Sequence, residues 1–173
     1  MKNDIPLNLS NSINYLINSV KEFRKGNEEM LSLIKQLSNV LDNVEKTLNI
    51  IEDKLLIIIE RQKSGKEINH YVLEKFVENI ENLSHVLENV DKISRSLNLE
   101  IEKHESSINN LEDTIEKLKD IDAKISKNVE LELKRIHEVI DTNRSELKYI
   151  SDRCDALNER LKDLLQEIDS LIS

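Results

Sequence analysis

Turn formers and aromatic residues are scarce in this 173-residue chain, which holds two Gly, one Pro, two Phe, three Tyr and no Trp. A sheet protein reverses direction about every ten residues and needs such residues at each reversal, so their scarcity excludes a β-rich fold. Cysteine is scarce too. Cys154 stands alone and cannot staple the chain to itself, which suits a reducing compartment. Long apolar runs are missing: the longest is Leu55 to Ile59, whereas a membrane-spanning helix needs roughly 20 apolar residues. The opening MKNDIPLNLSNS carries Asp4 and Pro6 and offers no apolar stretch long enough for a signal peptide. A soluble, cytoplasmic protein without direct membrane insertion is the expectation.

What is present points one way. Charged residues make up 34% and hydrophobic ones 38%, a mixture typical of long helices and coiled coils. The net charge is −9, and most of it lies after residue 62. An acidic surface with no basic stripe repels phosphate backbones, so nucleic acid is not an expected partner.

Apolar residues repeat with alternating spacings of three and four. From Ile13 the pairs are Ile13/Leu16, Val20/Phe23, Asn27/Met30, Ile34/Leu37, Leu41/Val44, Leu48/Ile51 and Leu55/Ile58. Seven heptads in register predict an amphipathic helix about 75 Å long over residues 11–62, after a disordered lead at 1–10. Asn27, beside Gly26, is the weak point of that seam. At 63–69 the pattern stops: Gly65 suits the left-handed residue that closes a helix, and Ser64 with Glu67 has the spacing of a capping box for the next. A second register predicts a helix over 70–129, from Leu73/Phe76 through Ile115/Leu118 and Asp122/Ile125 to Val129. The step from Val129 to Leu133 is four residues rather than seven, a stutter, and opens a third segment at 130–173. The predicted class is all-α: an elongated coiled coil, with a helical hairpin breaking near 62–69 and a third helical segment. Nothing after Gly65 demands a second turn.

Two features of the pattern bear on function. Extra apolar residues widen the stripe near Gly65, at Leu56, Ile57 and Ile59 before it and Val72, Val77, Val86 and Ile93 after it, which predicts contact with more than one neighbour. The third segment is narrow, close to strict alternation. Its seam of Leu133, Ile136, Ile140, Asn143, Leu147, Ile150, Cys154, Leu157, Leu161, Leu164, Ile168 and Leu171 is the expected partner-binding surface. Among the polar residues at core positions, Asn143 reads as a register-fixing residue, whereas Ser94 and Asp122 read as facing solvent. Cys154 would cross-link two chains only in a parallel, in-register dimer. The a/d pattern alone does not distinguish parallel from antiparallel pairing.

No catalytic constellation is visible. His70, His85, His104 and His137 each lack a second His or Cys three or four residues away, the spacing that metal pairs on helices require. KSGKE, Lys63 to Glu67, lacks the first Gly and the final Ser or Thr of a phosphate loop. No enzymatic activity, cofactor, metal or small-molecule substrate is expected.

One stretch has a more specific look. ELKYISDRCDAL, Glu146 to Leu157, resembles the signature of R-SNARE proteins of the synaptobrevin type, and the likeness extends over residues 129–171. It implies a parallel four-helix bundle that draws membranes together, with Asn143 at the central layer where the family carries Arg or Gln. The residues themselves imply a coiled-coil oligomerisation or scaffold subunit whose partners are proteins, through self-association or other helices. A fusion helix and a helical regulator or inhibitor of a partner protein are the alternatives.

Overall fold

The computed structural model describes residues 7–120 and 123–173, with the side chains of 7–10, 118 and 124–126 outside that description. The expectations for residues 1–6, and for the core positions Leu118, Asp122 and Ile125, therefore lie outside the described residues. The chain is all-α. Three helices, α1 (Leu7–Lys63), α2 (His70–Lys119) and α3 (Ala123–Ile172), pack together, and no strand occurs among the described residues.

Three local expectations need correction. The first helix begins at Leu7 rather than at residue 11. The second helix ends at Lys119, ten residues before the predicted 129, and α3 starts at Ala123 rather than at the stutter. Its last turn holds Lys117 and Lys119, which suit the negative end of a helix. Lys119 Nζ also lies 2.9 Å from Glu116 and 2.7 Å from Glu130, so it bridges α2 to α3 across the reversal. These contacts raise the Lys119 pKa above its ordinary value. No Gly or Pro stands at residues 119–123, which is why composition does not announce this reversal.

The first reversal follows the sequence more closely. Gly65 has φ +75°, its N–H bonds the carbonyl of Gln62 at 2.9 Å, and the Lys66 N–H bonds that of Arg61 at 3.1 Å. That is the double bond of a Schellman cap. The cap of α2, however, is Asn69 and not Ser64: Asn69 Oδ1 accepts from the Tyr71 N–H at 3.1 Å, while Ser64 Oγ turns back to the Glu60 carbonyl at 3.0 Å.

The two glycines should respond oppositely to the same change. Gly65→Ala is expected to lower stability by about 1–2 kcal/mol, the strain of a left-handed alanine, because nothing else crowds the position. Gly26→Ala, inside α1, is expected to raise it by about 1 kcal/mol through helix propensity. Its new Cβ would stand 3.7 Å from His104 Cε1, an ordinary contact. Urea unfolding of both variants checks the pair.

The chain divides into two compact units, each with a segment of all three helices: residues 1–33 with 96–146, and residues 34–95 with 147–173. In the first unit Ile13, Val20, Ile101, Ile108, Ile136 and Ile140 are buried; in the second, Ile34, Leu41, Leu48, Leu73, Ile80, Leu87 and Ile150. Each occupies a predicted a or d position, so burial of the apolar stripe holds the helices together. Ser94 is also buried, at 2% exposure, and not solvent-facing as its polarity suggested. Its small side chain fits a core position that the heptad register had already assigned.

Candidate functional site

The seam expected to bind a partner is closed within the chain. In the first unit Leu133, Ile136, Ile140 and Asn143 are buried, and in the second so are Leu147, Ile150, Cys154, Leu157, Leu161, Leu164 and Ile168; none exceeds 4% exposure. Only Leu171, at the helix end, is half-buried. The physical reason is the second reversal: once α2 stops at Lys119, α3 lies beside α1 and α2, whose own stripes cover its narrow seam. Of the stretch that carries the R-SNARE resemblance, the core-position residues Leu147, Ile150, Cys154 and Leu157 are therefore buried within their own chain.

Sequence reasoning missed the charges that flank the seam. In the second unit Arg153 and Arg160 of α3 each precede a core position, while Glu45 and Glu52 of α1 each follow one. Arg153 reaches Asp42 at 2.8 Å and Glu45 at 3.2 Å. Arg160 holds Glu52 through two nitrogens, at 3.3 Å and 2.9 Å, and Asn49 at 2.7 Å. In the first unit the polarity reverses, and Arg24 of α1 bonds Glu132 of α3 at 2.6 Å. All three flanking pairs, Arg24–Glu132, Glu45–Arg153 and Glu52–Arg160, are separated by 108 residues. In the second unit the two pairs share one separation, and in the first Arg24–Glu132 and Asn27–Asn143 advance in the same direction along both helices, so α1 and α3 run parallel within each unit.

Along α2 and α3 of the first unit the ladder has the opposite sense. Glu105, Glu112 and Lys119, one heptad apart, meet Arg144, His137 (2.5 Å) and Glu130 (2.7 Å) in descending order, which is antiparallel pairing. Glu105 raises the Arg144 pKa through this bond. Exposed ion pairs contribute at most about 1 kcal/mol each, so the ladders select orientation and register more than they stabilise. In the second unit, a one-heptad slip of α3 on α1 that brought Glu167 beside Glu52 would leave Arg160 to meet Glu45 and replace one ion pair by a like-charge contact. The signal was present in the sequence, in the sign of the residues beside each core position.

One layer inside the first unit is polar. Asn27 and Asn143 are both fully buried. Asn143 Nδ2 donates to the Asn27 backbone carbonyl at 3.0 Å, and Asn27 Nδ2 donates to the Phe23 carbonyl at 2.8 Å. His104 stacks edge-on against Phe23, with centroids 5.6 Å apart, and faces Gly26. A register-fixing role for Asn143 therefore has a partner to act through, on a helix 116 residues away in sequence.

In the second unit Cys154 is free and 1% exposed, so the cross-link expected of a parallel dimer has no accessible sulfur. Burial pushes its thiol up to about 11, with Asp91 and Asp155 adding to the shift and Arg153 opposing it. At pH 8 the folded chain should react with a thiol reagent at least about 100-fold more slowly than the unfolded chain, from lost thiolate alone. The folded pKa is the higher one, so this group's effect on stability is flat below the unfolded value. From about pH 9 to 11 it should erode stability by up to about 1.4 kcal/mol per pH unit, an alkaline limb that Cys154→Val should flatten.

Several large apolar side chains remain outside. On α1 of the second unit, Ile50 is 54%, Leu56 59% and Ile57 51% exposed, and on α2 Ile93 is 47% exposed. Of the residues predicted to widen the stripe, Leu56, Ile57 and Ile93 stay exposed, whereas Ile59, Val72, Val77 and Val86 are half-buried. Among the described residues, no helix is long and apolar enough to cross a membrane.

These features define a three-helix, all-α bundle with its α3 seam closed inside one chain. The sequence is 36% identical over 167 residues to the uncharacterized protein MJ0063 of Methanocaldococcus jannaschii, an alignment covering 96% of this chain and 92% of that protein. The chain belongs to the family of that archaeal protein. No protein-family model and no solved structure matches it.

Proposed function

We propose that the protein is a non-enzymatic, cytoplasmic helical module that binds other proteins through its outward faces, as a scaffold subunit or regulator of a larger assembly. The observation that carries this reading is the burial of the α3 seam by the chain's own helices, which moves any binding role to the surface. Ile50 and Ile57, one heptad apart on α1 with Leu56 beside them, form an outward apolar stripe of the kind that marks protein contact sites. The same burial weighs against the fusion-bundle reading, in which the α3 seam would have to face helices of other chains.

Photo-crosslinking in the native cell tests the proposal. A benzophenone side chain at Ile57 is expected to give adducts of defined mass with other polypeptides, and one at the exposed, charged Glu102 is expected to give none. Equal, diffuse labelling from both positions would overturn it.

A further inference from the structure

The polar layer of the first unit leaves three buried polar atoms without a protein partner. Both amide nitrogens are committed to backbone carbonyls, Asn27 Nδ2 to Phe23 and Asn143 Nδ2 to Asn27, which fixes the orientation of both amides. Their oxygens, Asn27 Oδ1 and Asn143 Oδ1, are buried with no partner in the protein, and so is His104 Nδ1. A buried polar atom left unpaired costs about 1–3 kcal/mol, so three in one layer would consume much of a small domain's stability.

The three groups belong to one level of the unit. The Asn143 amide touches the Asn27 carbonyl, and the His104 ring lies against Phe23 and Gly26, the neighbours of Asn27 along α1. A groove lined by Ser19, Glu22, Phe23, Gly26 and His104 lies beside this level.

We infer that this layer is a binding site for one water molecule, held by Asn27 Oδ1, Asn143 Oδ1 and His104 Nδ1. One water can partner all three atoms when His104 is protonated on Nδ1. Water gives its two protons to the two amide oxygens, and its own oxygen accepts the proton of a His104 that carries hydrogen on Nδ1. With the proton on Nε2 instead, the layer would present three acceptors to a molecule with two donors. The site also accounts for register: a one-heptad slip of α3 along α1 would separate the two amides and bury each beside apolar residues. This inference stands independently of the proposed function.

NMR of the intact, isotope-labelled chain tests it. The imidazole nitrogen shifts of His104 should identify the Nδ1–H form. That proton should show a negative Overhauser effect to a water resident for longer than a nanosecond. Both signatures should vanish in Asn27→Leu/Asn143→Leu while the backbone amide spectrum stays dispersed. An Nε2–H tautomer in the unaltered chain, or an Nδ1–H without the water contact, would overturn the assignment whatever the variant does.

Discussion

Leu147→Ala should lower the stability of the isolated chain by about 3 kcal/mol, within the 2–5 kcal/mol range for a buried leucine truncated in a core that relaxes only in part. Leu147 is fully buried, at an α3 seam position. In a chain of this size each kcal/mol moves Tm by about 2–4 °C, so the midpoint should fall by roughly 6–12 °C. The loss should be the same at every protein concentration, because the partners of Leu147 belong to its own chain. Leu56→Ala is the internal control. Leu56 is 59% exposed, and its truncation should stay within about 0.5 kcal/mol. Thermal and urea unfolding at two well-separated concentrations measure both. Similar losses for the two variants, or a Leu147→Ala loss that grows on dilution, would place the α3 seam between chains.

Filling the polar layer should do the reverse. Asn27→Leu combined with Asn143→Leu is expected to raise stability by about 2–3 kcal/mol, since burying a leucine is worth about 1.5–3 kcal/mol and the lost amide bonds only about 0.5–1.5 each. That corresponds to a rise in Tm of about 4–12 °C. Each single change should gain less than half of the double, because one asparagine left alone keeps a buried amide oxygen with no partner in the protein. The cost should be uniqueness. Without the Asn143 to Asn27 bond, only the edge charges hold α3 in register on α1, and the amide spectrum should show a second, minor set of peaks. Additive singles with one set of peaks would mean that the two amides act separately.

Much of this fold was legible in the sequence because burial follows a simple rule. Most apolar residues spaced three or four positions apart went inside, so Leu41, Leu87 and Ile150 could be assigned to the core from spacing alone. Gly65 was legible for a similar reason, since a left-handed residue at a helix end has few chemical solutions. The second reversal was not. Its contacts are charge contacts from Lys119 to Glu116 and Glu130, and lysines and glutamates are so common in this chain that two more carry no mark. That miss hid the internal partners of the α3 seam, because a third segment opening at the stutter after Val129, with no second turn, leaves them unspecified.

The orientation of the helices was recoverable in principle. Glu45 and Glu52 on α1 match Arg153 and Arg160 on α3 in sign and spacing, and Arg24 matches Glu132 with the signs exchanged. A search for the constant offset that satisfies all three pairs would have found the parallel alignment of α1 with α3 before any coordinates. The polar layer was legible only as three separate oddities, Asn27, His104 and Asn143. Their meeting depends on how far α3 is displaced along α1, which the a/d repeat leaves free in steps of one heptad.

The solution mass of the purified chain, taken by light scattering over a wide concentration series, tests the central claim most directly. A seam closed within one chain predicts 20.2 kDa at every concentration at which the helices are intact. A larger species that falls to that mass only as helical signal is lost would contradict it, because the α3 seam would then be holding separate chains together.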